Sequence, residues 1–261
     1  MWSWSSRSPT PWIGSWQGDP QLPSFRAVTR ARIAVLASGG GTNLQAILDH
    51  FAKVGERRCG DVVVVASDRA DAGALSRARA RDIAVEIVAV GQQGAGVELE
   101  EICDSHNVEL VALAGYRRYV PTTIVNRYAG RIVNVHPSLL PAFGGPGMYG
   151  GRVHDAVLAA GAAVTGVTVH FVDEVYDRGR IIAQWPVPVL AGDDRVTLAS
   201  RVLHVEHVLY PRVVDALAGG RLTLAACESG PRMTGPRDAE FTMLSRKDDC
   251  LAEAIDRALA G

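Results

Sequence analysis

Short apolar runs alternate with segments of helical periodicity through the first half of the chain. The runs at 33–37, 61–67, 84–90 and 110–114 are rich in Val, Ile, Leu and Ala. Between them, residues 44–48, 72–81 and 97–106 repeat apolar side chains at helical spacing. Runs that are apolar throughout are typical of strands buried on both faces of a parallel sheet. The pattern therefore predicts an α/β fold with a doubly wound, mostly parallel sheet.

The pattern changes after residue 141. A helix is expected at 153–160, followed by strands at 164–171 and 181–189, which we expect to pair antiparallel. A long helix is predicted at 196–217 and a short one at 251–259. The sheet should therefore end in an antiparallel C-terminal part.

Three segments of different composition divide the chain. Residues 1–31 are rich in Trp, Ser and Pro and lack the apolar core and cleavage site of a signal peptide, so we expect a disordered extension. Residues 32–222 carry the strand and helix pattern and form the expected folded domain. Residues 223–261 read as an irregular segment followed by a helix.

Composition restricts the partners and the compartment. The chain is 48% hydrophobic and 21% charged with a net charge of −1, so nothing in the total favours nucleic acid or an acidic membrane surface. No apolar run approaches the ~20 residues of a membrane span. Four cysteines lie far apart without a CxxC pair, which favours reduced thiols in a cytoplasmic enzyme over a zinc site. Monomer and homodimer both remain open.

A glycine turn, defined here as residues 38–43, joins the first strand to the first helix. Its sequence is SGGGTN. Glycines permit positive φ and close approach, and free N–H groups at a helix start bind anions. The turn lacks the lysine of a P-loop and the full dinucleotide spacing, so a single phosphate monoester fits best. Any tight strand-to-helix turn also favours glycine.

Two polar residues interrupt the apolar strand that begins near residue 131. Asn134 and His136 are two positions apart, so their side chains point to the same face, and Pro137 ends regular pairing after them. Ligands of open α/β sheets bind at such carboxyl ends of strands. An amide beside an imidazole suits a reaction in which a carbonyl oxygen becomes negative while a proton moves. A strand end that only satisfies loop backbone is an equally good interpretation of the spacing.

Two further carboxylate positions have alternative interpretations. The acidic loop 173–179 can bring a carboxylate to His136, although composition alone favours a solvated turn. Glu206 falls within the apolar stripe of the long helix, where an unpaired carboxylate costs several kcal/mol. It therefore belongs to a structural hydrogen-bond network or faces a ligand, and we favour the ligand.

In this order, the segments resemble the phosphoribosylglycinamide formyltransferase family, whose members formylate glycinamide ribonucleotide from 10-formyltetrahydrofolate in purine synthesis. The resemblance covers roughly residues 32–222. Its motifs are SGGGTNLQ at 38–45, LAGY at 113–116, GRIVNVHPSLLP at 130–141 and VHFVD at 169–173. It implies a Rossmann-like formyltransferase fold, two small-molecule substrates and no metal.

The resemblance also implies site residues. The catalytic group is Asn134, His136 and Asp177, with Asn134 and a protonated His136 donating to the oxyanion and Asp177 favouring the charged imidazole. The residues implied for the ribonucleotide are Gly41, Thr42 and Asn43 at the phosphate and Glu206 at the ribose. Those implied for the folate are Arg118, Tyr119, Val120 and Asp173.

The chain departs from the family pattern in three places. Pro146 stands where a subgroup carries Lys, the segment Arg117–Arg118–Tyr119 is more basic and bulkier than usual, and 1–31 has no counterpart. Three alternatives remain: a formyltetrahydrofolate hydrolase, a methionyl-tRNA formyltransferase and a non-catalytic phosphate-binding module. The first needs an additional regulatory domain and the second a basic RNA-binding domain, and neither is evident in the sequence. The catalytic group argues against the third.

Overall fold

The computed structural model describes residues 30–88, 95–223 and 251–260, which form a sheet flanked by helices on both faces. The strands are β1 (Ala31–Leu36), β2 (Gly60–Ser67), β3 (Ala84–Ile87), β4 (Leu110–Leu113), β5 (Ile132–His136), β6 (Val164–Phe171) and β7 (Ile181–Pro188). The helices are α1 (Thr42–Val54), α2 (Gly73–Arg79), α3 (Ala95–Ser105), α4 (Thr122–Arg127), α5 (Gly151–Ala159), α6 (Arg195–Ala218) and α7 (Leu251–Ala260).

The seven strands form one sheet in the order β3-β2-β1-β4-β5-β6-β7. Strands β1 to β5 are parallel to one another, whereas β6 is antiparallel to both β5 and β7. The chain order reverses direction between β1 and β4. Because crossovers leave this reversal point on opposite faces of the sheet, a crevice opens at the carboxyl ends of the two strands.

Alternation along β1 supplies both hydrophobic cores. Ile33 and Val35 point into one core, formed with α1, α2, α5, α6 and α7, while Ala34 and Leu36 point into the other, formed with α3 and α4. These four side chains are at most 2% exposed. A strand covered on both faces has to be apolar at every position, which explains the uninterrupted runs in the sequence.

Helix α6 anchors the antiparallel part of the sheet to the parallel part. The buried Tyr210 hydroxyl lies 2.9 Å from the Leu113 carbonyl oxygen on β4 and 3.1 Å from the Val133 carbonyl oxygen on β5. Helix α7 packs against α6 through Leu251 and Ile255, which are fully buried. The position of α6 relative to β4 and β5 is therefore fixed by polar and apolar contacts together.

The predicted fold class is confirmed. Most predicted elements lie within three residues of those observed, but α1 continues to Val54, six residues beyond the predicted segment 44–48. The antiparallel pairing of β6 and β7 is also confirmed. Residues 1–29, 89–94, 224–250 and 261 lie outside the described part, so the predicted extension and the irregular C-terminal segment stay predictions. Ala31, placed at the end of that extension, belongs to β1.

Candidate active site

A cavity of about 390 Å³ opens at the carboxyl ends of β1, β4 and β5. It is bounded by the glycine turn, the segment after β4, the loop 144–150 and the acidic loop 173–179. Every predicted site residue lines it, namely Gly41, Thr42, Asn43, Arg118, Tyr119, Val120, Asn134, His136, Asp173, Asp177 and Glu206. The structure therefore brings together residues that are far apart in the chain.

The glycine turn presents the start of α1 to this cavity. Gly41 is the residue before the helix and has a φ of 74°, which favours glycine. A Cβ at this position would lie 2.6 Å from the Cα of Ala74, so a side chain is also excluded by contact with α2. No side chain caps this helix start. Its first N–H groups are consequently available to an anion.

Glu206 and Asn43 face each other at the end of the cavity formed by the glycine turn. The Asn43 side-chain amide donates to Glu206 Oε2 at 2.6 Å. Burial raises the pKa of Glu206 to about 7, although the hydrogen bond from Asn43 acts in the opposite direction. Ala199 and Leu203, on the same face of α6, also line the cavity. Glu206 thus has a structural partner and faces the cavity, and its role toward a ligand stays a prediction.

His136 is held by contacts on both ring nitrogens. Nε2 donates to the Phe143 carbonyl oxygen at 2.9 Å, and Nδ1 lies 3.6 Å from Asp177 Oδ2. The side chain is 3% exposed. Burial lowers the pKa of His136 more than Asp177 and the Phe143 carbonyl raise it. Asp177 does favour the charged imidazole as expected, but burial outweighs it, so the expected protonated imidazole is disfavoured in this structure.

Asp177 joins two loops across the cavity. Its Oδ2 accepts a hydrogen bond from the Gly145 N–H at 2.8 Å, and its backbone adopts a φ of 54°, a conformation that Asp tolerates better than most residues. The side chain is 11% exposed. The solvated-turn interpretation is therefore wrong for Asp177, whereas Asp173 at the start of the loop is exposed.

His170 is a site residue that the sequence analysis did not identify. Its Nδ1 donates to the Phe171 carbonyl oxygen at 2.8 Å, which leaves Nε2 as an acceptor. Asn134 Nδ2 lies 3.1 Å from that Nε2 and therefore donates to it. Burial lowers the pKa of His170, in keeping with a neutral ring. The signal in the sequence was the spacing of Thr168 and His170 on one face of β6, but only the antiparallel register places His170 opposite Asn134.

The residues predicted for the folate form the rim of the cavity. Arg118 is paired with Asp68 at 2.7 Å, and the Tyr119 hydroxyl donates to the Glu174 carbonyl oxygen at 2.8 Å. The Val120 side chain is buried in a core, so only its backbone is available to a ligand. Val175 is 59% exposed and Tyr176 39% exposed at the same rim. The rim thus offers apolar surface and backbone groups side by side.

Within residues 30–88, 95–223 and 251–260, no group of three or more His, Cys, Asp and Glu side chains is arranged to hold a metal ion. No helix in this part of the chain is long and apolar enough to cross a membrane.

Comparison with known proteins places this geometry in a family. The formyl transferase family matches residues 31–214. The chain is 42% identical over 208 residues to the chloroplastic phosphoribosylglycinamide formyltransferase of Vigna unguiculata, with 78% of this chain and 66% of that protein covered. It is 39% identical over 208 residues to phosphoribosylglycinamide formyltransferase of Escherichia coli (strain K12), with 77% and 95% covered.

A solved structure agrees with these sequence relatives. The crystal structure of glycinamide ribonucleotide transformylase 1 from Symbiobacterium toebii has a TM-score of 0.68 and 43% identity, with 74% of this chain and 90% of that chain covered. The chain spans about two thirds of the length of the plant relative and nearly all of the bacterial one.

Proposed function

We propose that this chain, which belongs to the formyl transferase family, transfers a formyl group from 10-formyltetrahydrofolate to the amine of 5-phosphoribosylglycinamide in purine biosynthesis. One observation carries the proposal. A single cavity combines a helix start without a side-chain cap, an amide group and an imidazole–carboxylate pair. A phosphorylated amine and an acyl donor need these two kinds of site next to each other.

The glycine turn and α6 orient the ribonucleotide. Gly41, Thr42 and Asn43 hold its phosphate through N–H groups at the start of α1. Glu206 accepts hydrogen bonds from the ribose hydroxyls, with Asn43 fixing the carboxyl from the other side. The phosphate and ribose are thus fixed at one end of the cavity, and the amine is directed toward β5.

Asn134 stabilises the oxygen that becomes negative during transfer. Because one N–H of its side chain is committed to His170, the amide plane is fixed and the second N–H is available toward the cavity. A preoriented donor of this kind typically contributes 100- to 1,000-fold in rate. His170 acts by orienting Asn134.

His136 accepts the proton that the attacking amine has to lose and returns it to the folate nitrogen, which leaves as its bond to the formyl carbon breaks. Its Nε2 proton is engaged by the Phe143 carbonyl, so Nδ1 is the free acceptor. Asp177 lies beside Nδ1 and stabilises the imidazolium that forms when the proton arrives. A neutral resting imidazole, which burial favours, is the form that can accept this proton.

The rim fits the second substrate. Exposed Tyr119, Val175 and Tyr176 supply apolar surface for a flat pterin ring, and the backbone at Val120 supplies polar groups. Bound 10-formyltetrahydrofolate supplies the formyl carbon that the amine attacks. The exposed Asp173, whose Oδ1 accepts a hydrogen bond from the Val175 N–H, fixes the start of the loop on this side.

We further propose that the enzyme acts in the cytoplasm on these two small molecules, as a monomer or homodimer. All predicted site residues belong to one chain, which is compatible with either state. The net charge of −1 gives no support for a nucleic-acid substrate.

The test is a folate absorbance assay with the purified chain and 10-formyltetrahydrofolate, with and without glycinamide ribonucleotide. A transferase changes the absorbance only when the amine is present and yields formylated ribonucleotide by mass spectrometry. Amine-independent release of formate would identify a hydrolase instead. Binding of the ribonucleotide without turnover would indicate the non-catalytic module.

A further inference from the structure

We propose that Arg117 is a second phosphate ligand of this site and makes the enzyme specific for the phosphorylated form of its amine substrate. The inference rests on the proposed function, because it assigns a recognition residue to the phosphate end of that cavity. Its basis is the position of the Arg117 guanidinium between the glycine turn and the loop 144–150.

Two hydrogen bonds fix the Arg117 backbone against the glycine turn. The Ser38 N–H donates to the Gly115 carbonyl oxygen at 3.2 Å, and the Arg117 N–H donates to the Ser38 hydroxyl oxygen at 2.9 Å. Ser38 is 2% exposed, so this connection lies inside the protein. The segment after β4 is therefore attached to the segment after β1, and Arg117 extends from that junction.

The Arg117 side chain lies over the same end of the cavity. Its Nη2 is 3.7 Å from the point that a Cβ on Gly39 would occupy, and it lines the cavity together with the whole of 39–43. On its other side, the guanidinium carbon is 5.9 Å from the centre of the Tyr149 ring. The Tyr149 ring also contacts Arg152, at 5.0 Å.

The environment of the Arg117 charge differs from that of Arg118 and of Arg77. Arg118 is paired with Asp68, and Arg77 donates to the Gly40 carbonyl oxygen and to Gln45. No carboxylate oxygen of residues 30–88, 95–223 or 251–260 lies within 4.0 Å of a guanidinium nitrogen of Arg117, so this side chain forms no ion pair in the described part of the chain. Its positive charge is thus available to a ligand, and its contacts are an aromatic ring and the glycine turn.

A phosphate monoester dianion matches this arrangement. Helix N–H groups reach it from one side, and a planar guanidinium offers paired N–H donors from another. The ribose and the amine are not anionic and gain little from Arg117. The side chain therefore discriminates between a phosphorylated ribose and the same ribose without phosphate.

The experiment is a thermodynamic cycle that compares the wild-type enzyme and Arg117→Met, each with the phosphorylated and the dephosphorylated substrate. We expect Arg117→Met to lower kcat/KM for glycinamide ribonucleotide by about 10- to 100-fold, the usual loss for a hydrogen bond to a charged group. For the dephosphorylated ribonucleoside the change should stay within about twofold, since the lost contact is absent there. Arg117→Lys, which keeps the charge, should recover part of the loss. Equal losses on both substrates, or no loss on either, would overturn the inference.

The matched control is Arg131→Met. Arg131 is also an exposed arginine stacked on a tyrosine, at 5.0 Å from the Tyr128 ring, but it does not line the cavity. Neither substrate should respond to it. A second readout uses inorganic phosphate as the probe in calorimetry, where Arg117→Met should weaken binding by the same factor. If the wild-type chain transfers no formyl group, the proposed function fails, and phosphate binding still decides the role of Arg117.

Discussion

The two ends of the cavity are built from different materials. At the phosphate end, glycines and helix N–H groups form the surface, and Gly41 is held by its own φ and by contact with Ala74. At the transfer end, the surface consists of the side chains of Asn134, His136 and Asp177. The first end is fixed by local backbone geometry. The second depends on strand register and on loops that meet only in the folded chain.

This difference has an energetic consequence. The helix N–H groups of a backbone site keep their positions when one neighbouring side chain is truncated, so only the contribution of that side chain to binding is lost. A side-chain site depends on individual donors, each of which contributes directly to the reaction barrier. Substitutions at the transfer end should therefore reduce kcat, whereas those at the phosphate end should change stability and KM.

The largest effect is expected for His136→Ala. Without the imidazole, no group at the transfer end accepts the proton, and kcat should fall by about 10³- to 10⁴-fold, or about 4–5 kcal/mol of barrier. Stopped-flow or steady-state assays at saturating substrates measure this. The matched control is His50→Ala, which removes an imidazole that is 9% exposed, lies 3.8 Å from Asp215 and is outside the cavity. It should lower the melting temperature but leave kcat within severalfold. A His136→Ala enzyme with near-normal kcat would contradict the assignment.

Asn134→Ala should have the next largest effect. Loss of the oriented amide donor should lower kcat by about 100- to 1,000-fold, or about 3–4 kcal/mol, with little change in KM for the ribonucleotide. The measurement is steady-state kinetics with both substrates varied. A change confined to KM would move Asn134 from the transfer end to substrate binding.

Gly41→Ala addresses the phosphate end. The substitution places a Cβ 2.6 Å from the Ala74 Cα at a φ of 74°, and we expect about 3 kcal/mol of lost stability from strain and contact together. Urea unfolding checks this value. Gly40→Ala is the control for stability, because nothing lies within 4 Å of its Cβ position. Equal stability of the two variants would show that Gly41 is not required by its backbone.

Glu206→Gln tests how much the ionisation of the buried Glu206 carboxyl lowers the stability of the folded protein. The folded-state pKa of Glu206 is raised from 4.5 to about 7, so the stability it contributes is present at low pH and is lost as pH rises from about 4.5 through about 7. The variant cannot ionise and should become more stable than wild type above pH 7, by at most about 3 kcal/mol. Chemical unfolding at pH 5 and pH 8 measures the difference. A gap that does not widen with pH would place the ionisation elsewhere.

The same variant should raise KM for the ribonucleotide, because Gln offers one acceptor oxygen where the carboxylate offers two. If catalysis were unaffected at every pH, Glu206 would be a structural partner of Asn43 only. Stability and recognition are therefore separable at this residue.

The phosphate end could be predicted from the sequence more fully than the transfer end. Uninterrupted apolar runs predicted the parallel strands, and SGGGTN predicted a helix start suited to an anion. Asn134 and His136 were predicted from their spacing of two on a strand. All of these signals are local, so that the residues that carry them lie next to each other in the chain.

The remaining features depend on contacts between distant segments. His170 is opposite Asn134 because of the β5–β6 register, and the Phe143 carbonyl reaches His136 through a loop. Burial of His136, which lowers its pKa against the influence of Asp177, is likewise a property of the packed chain. The contact between Arg117 and Tyr149 joins segments more than thirty residues apart. No periodicity in the sequence encodes these distances.

Helix α6 carries Glu206 toward the cavity and, one turn later, Tyr210 toward the carbonyl groups of β4 and β5. A rotation or a slide of this helix that adjusts the first contact also removes the second. During evolution, a change in the shape of this end of the cavity would therefore be constrained by the integrity of the sheet. The loops at the rim make no such contact with the sheet, so they are the part of the cavity in which descendants of this protein can acquire new substrates.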